Sequence, residues 1–497
     1  MPTARRVQAA RRRIIALALA SLAFGGPAFA QSVAAYHARA DRSGNYTIPE
    51  LTWEHAGALR LDSGFVPRFE GHLYAQPLYW RPAGAPTALL IIASESNVVT
   101  AIDTASGNAA WTRALGRSAP LASFACGNID PLGITGTPVI DEASGTMYLD
   151  AMIADASGPR HRLFALSLKD GAPLPGWPLD VAEALRTKGE SFDPRVQNQR
   201  GAVTILNGTL YVPYGGFYGD CGDYHGWVVG VPLNDPQRIL AWRTRGRGGG
   251  IWAPGGIASD GVSLYVATGN TVGARDWADG EAVFRLAADL RHSERNADFF
   301  AASDWRALDS RDADLGGSNP LVFDLPGGPP VVLALGKDEK SYLLDRSNLG
   351  GFGGSLLTTR VSTYPIRTAP AAYRAADAML VALQGHGAHC PAGQGGDLTV
   401  VRIAASPRPA ISTAWCGSVS GAGSPIVTTT DGTANPIVWM LGAEGDNRLY
   451  GFRGDTGERL FVSPPLAGLR HFQTLIAADD RLFVGADSRL YAFGVPP

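Results

Sequence analysis

The chain has 497 residues, with 61 glycines, 34 prolines and 45% hydrophobic residues. This glycine and proline content argues against a helical bundle, since both residues destabilise a helix interior, and it stays below the roughly 25–30% that marks disordered sequences. The formal net charge is −2, which argues against nucleic acid as a partner because phosphate binding needs clustered basic residues.

The first 30 residues have the pattern of a secretory signal peptide. Five arginines (5, 6 and 11–13) form a basic region, residues 14–24 are apolar, and the Ala-Phe-Ala of 28–30 predicts cleavage after Ala30. An uncleaved N-terminal anchor is the alternative, but this apolar run is shorter than the about 20 residues that span a bilayer, and no later segment is long enough. Without the five arginines, 38 basic residues face 45 acidic ones, a net charge of −7.

A strand–turn–strand pattern recurs eight times after this segment. Residues 89–111 form the first unit, with two β-branched strands, an Asp-x-x-x-Gly turn and a short strand that ends in Trp111. The later units begin at residues 146, 210, 264, 331, 379, 438 and 482. Eight units give roughly 58 residues each, more than the 40–50 of common propeller blades, so several blades are expected to carry long loops.

The last unit stops after its third strand. The N-terminal residues 51–55, Leu-Thr-Trp-Glu-His, are the predicted fourth strand of that unit. Pairing the two chain ends closes a ring and removes exposed sheet edges. The sequence therefore predicts an all-β fold, one eight-bladed β-propeller of four-stranded antiparallel blades over residues 31–497. The repeated tryptophans and Leu-Tyr pairs are expected to pack between strands.

The four cysteines are Cys126, Cys221, Cys390 and Cys416. An even number in an exported chain indicates disulfides, and four cysteines allow three pairings. Since the chain has no C-x-x-C, the sequence predicts neither a c-type haem nor a zinc ribbon.

Residues 97–111, Asn-Val-Val-Thr-Ala-Ile-Asp-Thr-Ala-Ser-Gly-Asn-Ala-Ala-Trp, resemble the tryptophan-containing repeat of pyrroloquinoline quinone (PQQ) propellers. One branch of these is the PQQ-dependent alcohol dehydrogenases, eight-bladed quinoproteins that include the polyvinyl alcohol type. The other is the periplasmic outer-membrane assembly lipoprotein, which carries no cofactor. The repeat alone does not separate the branches, so the choice depends on site residues.

The segment 248–270 resembles the dehydrogenase segment in which a tryptophan lies under the quinone and a Thr-Gly-Asn turn supplies a calcium ligand. The resemblance assigns these roles to Trp252 and Asn270. The chemistry is consistent, because a planar quinone suits a broad aromatic face and an amide oxygen suits calcium. The alternative is a core tryptophan and a turn asparagine.

Two further segments resemble the same branch. In 311–321, Arg-Asp-Ala-Asp-Leu-Gly-Gly-Ser-Asn-Pro-Leu, the resemblance implies that Asp314 is the general base, which removes the alcohol proton, and a calcium ligand. In Gly-Lys-Asp-Glu-Lys-Ser-Tyr-Leu-Leu-Asp-Arg, 336–346, it implies that Lys337 contacts the quinone oxygens. An acidic surface loop is the alternative for Asp314.

Other expectations are positional. The loop 220–227 takes the place of the family's second calcium-ligand loop, but it has no Glu, so Asp220 or Asp223 is the substitute. Arg200 takes the place of a group near a quinone carboxylate. Cys390 is expected to pair with Cys416 in one blade, and Cys126 with Cys221 on the cofactor face.

The resulting hypothesis is a periplasmic or secreted, PQQ- and calcium-dependent dehydrogenase of an alcohol or polyol. It has no haem domain, so its electrons would pass to a separate acceptor such as a cytochrome c. The alternative hypothesis is a non-catalytic propeller that acts as a binding or assembly scaffold in the cell envelope.

Overall fold

The computed structural model describes residues 32–82, 84–291, 293–406 and 408–495. The predicted signal peptide lies outside these residues. The described chain forms eight sheets, each built mainly of consecutive antiparallel strands, which are the eight blades of a β-propeller. The predicted fold class is confirmed.

In the first four blades, the strands run from the innermost to the outermost in chain order. Their bounds are Leu78–Trp80, Leu89–Ala93, Val98–Asp103 and Ala109–Ala114 in blade 1; Val139–Asp141, Thr146–Asp155, Gly158–Ser167 and Leu179–Asp180 in blade 2; Thr204–Leu206, Thr209–Gly216, Trp227–Pro232 and Leu240–Arg243 in blade 3; and Ala258–Ser259, Leu264–Thr268, Ala282–Leu286 and Phe299–Ala301 in blade 4. Short strands Gln197–Asn198 and Gly351–Phe352 add to blades 3 and 4.

Blades 5 to 8 follow the same order. Their strands are Leu321–Asp324, Pro330–Leu335, Lys340–Asp345 and Leu357–Arg360 in blade 5; Ala371–Arg374, Ala378–Gln384, Leu398–Ala404 and Ala410–Gly417 in blade 6; Ile426–Thr429, Ile437–Leu441, Leu449–Arg453 and Arg459–Val462 in blade 7; and Leu475–Ala478, Arg481–Ala486, Arg489–Gly494 and Arg60–Leu61 in blade 8. The short helices are Trp53–Ala58, Val181–Arg186 and Trp305–Asp309, with 3-10 turns at Leu121–Ser123 and Leu315–Gly317.

The N-terminal strand that completes blade 8 lies later than predicted. Arg60–Leu61 pairs with the third strand of that blade, whereas the predicted strand, 51–55, runs into the helix Trp53–Ala58. Thr52 caps this helix, since its side chain accepts a hydrogen bond from the His55 N–H. The negative charge of Glu54 in the first turn interacts favourably with the positive N-terminal end of the helix dipole. The prediction was right about terminal closure but wrong about the segment.

The repeated tryptophans pack between blades, as expected. The Trp111 indole N–H donates to the Leu168 carbonyl of blade 2 at 2.9 Å. A Cβ on Gly171 would lie 2.6 Å from that ring, so the Ser-Leu-Lys-Asp-Gly turn of blade 2 needs glycine to seat the ring of blade 1. Trp415 of blade 6 packs in the same way on Gly457 of blade 7.

A segment before the first blade passes along the inner strands of the ring. Backbone hydrogen bonds join Val33, Ala34, Ala40, Asp41, Ser43 and Gly44 to the inner strands of blades 1, 2, 4, 5, 6 and 7 in that order. Arg42 reaches blade 3. Asn45–Thr47 then adds a parallel strand to Ile426–Thr429 of blade 7. We call residues 33–47 the channel segment, because it fills the centre of the ring.

Arg42 is the most connected side chain of the channel segment. It is fully buried, and its guanidinium donates to the carbonyls of Tyr36, Val203 and Ile257 and to the Thr204 hydroxyl, at 2.7–3.2 Å. Buried acceptors that lose their donor are costly, so Arg42 fixes the segment to blades 3 and 4.

Replacing Arg42 is expected to destabilise the ring. Arg42→Met leaves the buried acceptors unpaired and should lower the free energy of unfolding by about 3 kcal/mol, measured by urea denaturation. Arg39→Met is the matched control, because the Arg39 side chain is 66% exposed and its removal should change stability by less than about 0.5 kcal/mol. Equal effects of the two substitutions would contradict this role of Arg42.

Candidate functional site

The predicted site residues lie at one end of the ring. In an antiparallel blade, the loop between the second and third strands and the linker to the next blade leave the sheet at the same end. Arg200, Trp252 and Asp314 lie on linkers between blades, whereas Asn270 and Lys337 lie on loops between second and third strands. We call this end of the ring the mouth.

Two of the predicted side chains, those of Lys337 and Trp252, converge with the Asn270 backbone on Asp314. Asp314 Oδ2 lies 2.6 Å from Lys337 Nζ and accepts the Trp252 indole N–H at 3.2 Å, while Oδ1 accepts the Asn270 backbone N–H at 2.7 Å. Lys337 Nζ also lies 5.2 Å from the centre of the Trp252 ring. The linkers and loops of blades 3, 4 and 5 thus bring together four residues from separate parts of the sequence.

The local backbone explains why Asp314 can approach Asn270 so closely. A Cβ on the preceding residue, Gly269, would lie 2.7 Å from Asp314 Oδ1, so the Thr-Gly-Asn turn needs glycine there. The Asp314 carbonyl accepts the Lys337 backbone N–H at 2.8 Å, which fixes the Lys337 loop against the Asp314 linker.

Burial and the charge of Lys337 have opposite effects on the pKa of the Asp314 carboxylate. Burial raises the pKa of Asp314, while the Lys337 ammonium opposes that rise. Burial would lower the pKa of Lys337, but the carboxylates of Asp314 and Asp312 outweigh it and the pKa of Lys337 is raised. Asp312 Oδ1 lies 2.7 Å from Lys337 Nζ. The ammonium therefore stays charged and offsets the two aspartates.

Sequence reasoning missed Glu281, which lies next to this cluster. Glu281 is fully buried; its Oε2 accepts the Leu315 N–H at 2.6 Å and its Oε1 has no hydrogen-bond partner. Burial, followed by the charge of Asp314, raises the pKa of Glu281 well above its ordinary value. Through the Leu315 N–H, Glu281 holds the linker that carries Asp314. Its place at the start of a buried strand, in Asp-Gly-Glu, was the available sequence clue.

Arg200 lies in a different part of the mouth. Its guanidinium lies 5.4 Å from the Tyr74 ring centre and 4.9 Å from that of Phe472, residues of the linkers that enter blades 1 and 8. It makes no hydrogen bond or ion pair with the described residues, and burial lowers its pKa. Arg200 is partly exposed, so an anionic group can reach its free N–H edge and pair with its charge.

Glu95 is a second residue that sequence reasoning missed, and it lies within the electrostatic reach of Arg200. Glu95 is fully buried, its Oε2 accepts the Gly133 N–H at 2.6 Å, and its Oε1 has no partner. Burial raises the pKa of Glu95 to about 7, while Arg200 lowers it. In the loop between the second and third strands, Glu95 of blade 1 has the same position as Lys337 of blade 5. The sequence repeat was therefore the available clue.

The predicted calcium ligands are not assembled. Asp220 accepts the Tyr224 hydroxyl at 2.5 Å, and the Asp223 side chain is 83% exposed and 3.9 Å from His225 Nε2. Across the described ranges, no three His, Cys, Asp or Glu side chains are arranged to hold a metal ion. Asn270 and Asp314 alone fall short of the six to eight oxygens that calcium takes.

Two disulfides fasten the loops of the mouth. Cys126 on the linker to blade 2 pairs with Cys221 of the blade 3 loop, and Cys390 of the blade 6 loop pairs with Cys416. These are the two pairings expected from the resemblance. The described residues contain no free cysteine, and none of the helices they form is long and apolar enough to cross a membrane.

Comparison with known proteins finds this architecture elsewhere at low sequence identity. The quinohemoprotein alcohol dehydrogenase from Comamonas testosteroni is 14% identical, with a TM-score of 0.65 over 93% of this chain and 80% of that chain. A europium-containing methanol dehydrogenase is 14% identical, with a TM-score of 0.63 over 93% and 98% of the two chains.

BamB from Moraxella catarrhalis is 15% identical, with a TM-score of 0.50 over 88% of this chain and 97% of that chain. No protein-family description matches the sequence, and no curated protein matches it. At these identities, the structural likenesses show a shared propeller fold and leave the function to the site residues.

Removing the cation beside Asp314 should destabilise the protein. Lys337→Met leaves a buried carboxylate unpaired, and we expect a loss of about 2–3 kcal/mol in urea denaturation at pH 7, less than a fully buried pair because Lys337 is partly exposed. The double variant Lys337→Met with Asp314→Asn should recover part of that loss, because it removes the unpaired charge. A double variant as unstable as the sum of the two single ones would contradict the pairing.

Proposed function

We propose that the chain is a PQQ-dependent dehydrogenase that oxidises an alcohol or polyol outside the cytoplasm and passes the electrons to a separate acceptor such as a cytochrome c. The observation that supports it most directly is the convergence of Trp252, Lys337 and the Asn270 backbone on Asp314. The two disulfides suit an exported protein, and the predicted signal peptide would direct the export.

The residues of the mouth fit the quinone. The half-buried Trp252 offers a flat aromatic face, and Lys337 lies above its ring. The free N–H edge of Arg200 suits a carboxylate. PQQ carries both a planar ring system and carboxylates, so these two groups of residues would hold opposite parts of it.

The residues of the mouth suit a calcium ion less well than they suit the quinone. Asn270 offers a side-chain amide that forms no hydrogen bond with the described residues, but Asp220 and Asp223 hold other partners or face solvent. The donor set of the described residues therefore does not form a calcium site. Calcium binding stays a prediction from the resemblance.

Asp314 is the group placed to accept the alcohol proton. When bound, PQQ would supply an acceptor for the hydride, so that alcohol and quinone would give a carbonyl compound and a quinol with two electrons and two protons transferred. Because burial raises the pKa of Asp314, the carboxylate is a stronger base than an exposed aspartate. Lys337 keeps it ionised, and its positive charge favours negative charge that develops beside it.

The direct test adds PQQ, with and without calcium, to the purified mature protein and follows quinone absorbance and dye reduction with a panel of alcohols. Asp314→Asn should lower turnover by about 10²–10⁴-fold and leave quinone binding largely intact. Asp345→Asn, at the last residue of the third strand of blade 5 and at the opposite end of the ring, is the control and should leave turnover unchanged. Loss of quinone binding in Asp314→Asn would show that the role assigned to Asp314 is wrong.

Arg200 has its own expected effect. Arg200→Gln should weaken quinone binding at least tenfold, because a charge-assisted fork to a carboxylate is lost, with the affinity measured by fluorescence quenching of the protein. Arg481→Gln is the matched control: Arg481 also lies between two aromatic rings, Phe65 and Phe483, but away from the mouth. Unchanged quinone affinity in Arg200→Gln would remove Arg200 from the site.

A second candidate function is a binding scaffold without cofactor. The unassembled calcium ligands favour it, because a propeller that binds no quinone has no need of them. The same titration decides between the two functions: no quinone binding at micromolar concentrations would refute the dehydrogenase and leave the scaffold.

A further inference from the structure

Two cations of the protein engage groups that the resemblance assigns to a calcium ion. The first is Arg247, which binds the loop at residues 220–227. Its Nε donates to the Gly222 carbonyl at 2.6 Å, and a terminal amino group donates to the Asp220 carbonyl at 2.8 Å. The Asp220 carboxylate accepts the Tyr224 hydroxyl. The carbonyl and the carboxylate of Asp220 therefore both have partners within the protein.

The second cation is Lys337, whose ammonium lies between two carboxylates. Its Nζ is 2.6 Å from Asp314 Oδ2 and 2.7 Å from Asp312 Oδ1. These distances are close to the roughly 2.3–2.6 Å that calcium keeps from its oxygen ligands. The side chain of Lys337 is 17% exposed and that of Asp314 is 3% exposed, so solvent screens this pair only partly. The ammonium thus lies where a metal ion would reach both carboxylates.

An ammonium and a metal ion cannot share this position. Two cations within a few ångströms repel each other strongly where solvent screening is weak, so a divalent ion could bind Asp314 there only if Lys337 moved away. The backbone holds Lys337 in place, because its N–H donates to the Asp314 carbonyl at 2.8 Å. Both carboxylate oxygens of Asp314 also accept N–H groups, from Asn270 and Trp252. The charge and the hydrogen bonds of Asp314 are thus satisfied by the protein itself.

We infer that the Lys337 ammonium takes the place of the calcium ion, and that the mouth binds its quinone without a metal. Metal-free quinone binding rests on the proposed function, whereas the place of Lys337 does not. The ammonium lies 5.2 Å from the centre of the Trp252 ring. A quinone on that ring would therefore meet a positive charge that Asp312 and Asp314 hold in place, which is an electrostatic contribution that a metal ion would otherwise make.

Quinone binding with and without calcium tests the functional part. PQQ is titrated into the purified mature protein with excess calcium and, separately, with a calcium chelator, and binding is followed by quenching of protein fluorescence. The two affinities should agree within about twofold, since an ion without a site on the protein cannot change the affinity for another ligand. Binding at least tenfold tighter with calcium would show coupling between the two ligands and overturn the inference.

Removing the ammonium should convert its position into a metal site. Lys337→Met leaves the carboxylates of Asp312 and Asp314 near the side-chain amide of Asn270, and all three offer the oxygen ligands that hard cations prefer. Terbium(III) is the probe, because a nearby tryptophan sensitises its luminescence and Trp252 donates its indole N–H to Asp314. Lys337→Met should bind terbium at least tenfold more tightly than the wild-type protein, because it lacks the repelling charge.

Two further variants separate the charge from the shape of the side chain. Lys337→Arg keeps a cation beside the two aspartates and should bind terbium as weakly as the wild-type protein. Lys337→Met combined with Asp314→Asn loses one carboxylate and should lose the gained affinity. Calcium should also raise the urea midpoint of Lys337→Met and leave that of the wild-type protein unchanged. Wild-type terbium affinity in Lys337→Met, with no effect of calcium on its urea midpoint, would overturn the inference.

The inference and the proposed function fail in different experiments. If PQQ binds neither with nor without calcium, the dehydrogenase is refuted, while the terbium titration still decides whether Lys337 holds the position of a metal ion. If PQQ binds only with calcium, the dehydrogenase stands and Lys337 does not replace the metal.

Discussion

The ring depends on the hydrogen bonds that its inner strands make with residues 33–47. These inner strands are two to four residues long, and their free edges face the channel. The channel segment supplies partners to seven of the eight blades. The segment enters and leaves the ring at the same end. Ser32, just before the segment, accepts a hydrogen bond from the Arg81 N–H, which lies just after the inner strand of blade 1. Ile48, just after the segment, donates its N–H to the carbonyl of Thr429 at the end of the inner strand of blade 7. That end lies opposite the mouth.

This arrangement separates the parts of the molecule that support it from the part that carries the site. The channel segment and the blade-to-blade tryptophans stabilise the ring, so the linkers and loops of the mouth are free to hold polar groups. The two disulfides restrain those loops. A rigid mouth keeps Lys337, Asp314 and Trp252 at fixed distances, and pre-organised charge costs little reorganisation during a reaction.

Local sequence patterns predicted the strands and repeats, which local interactions determine. The second and third strands of each blade are nearly continuous buried runs, such as Val438–Leu441 within Ile437–Leu441, so the eight repeats were visible. The helix Trp53–Ala58 was missed, although Thr52 and Glu54 form a capping pattern. The contacts of Arg200 with Tyr74 and Phe472 join distant linkers, and no local periodicity contains them. Glu281 and Glu95 were missed because burial, rather than a motif, gives them their chemistry.

The charges of the mouth leave Lys337 as the cation beside Asp314. Both oxygens of Asp314 are engaged, by the Trp252 and Asn270 N–H groups and by Lys337. Burial raises the pKa of Glu281 well above its ordinary value, and the Lys337 ammonium faces Asp312 and Asp314. Lys337 is therefore the cation of the protein with which additional negative charge near Trp252 would interact. Because a lysine is a mobile point charge, the two aspartates that pair with Lys337 fix the position of its ammonium.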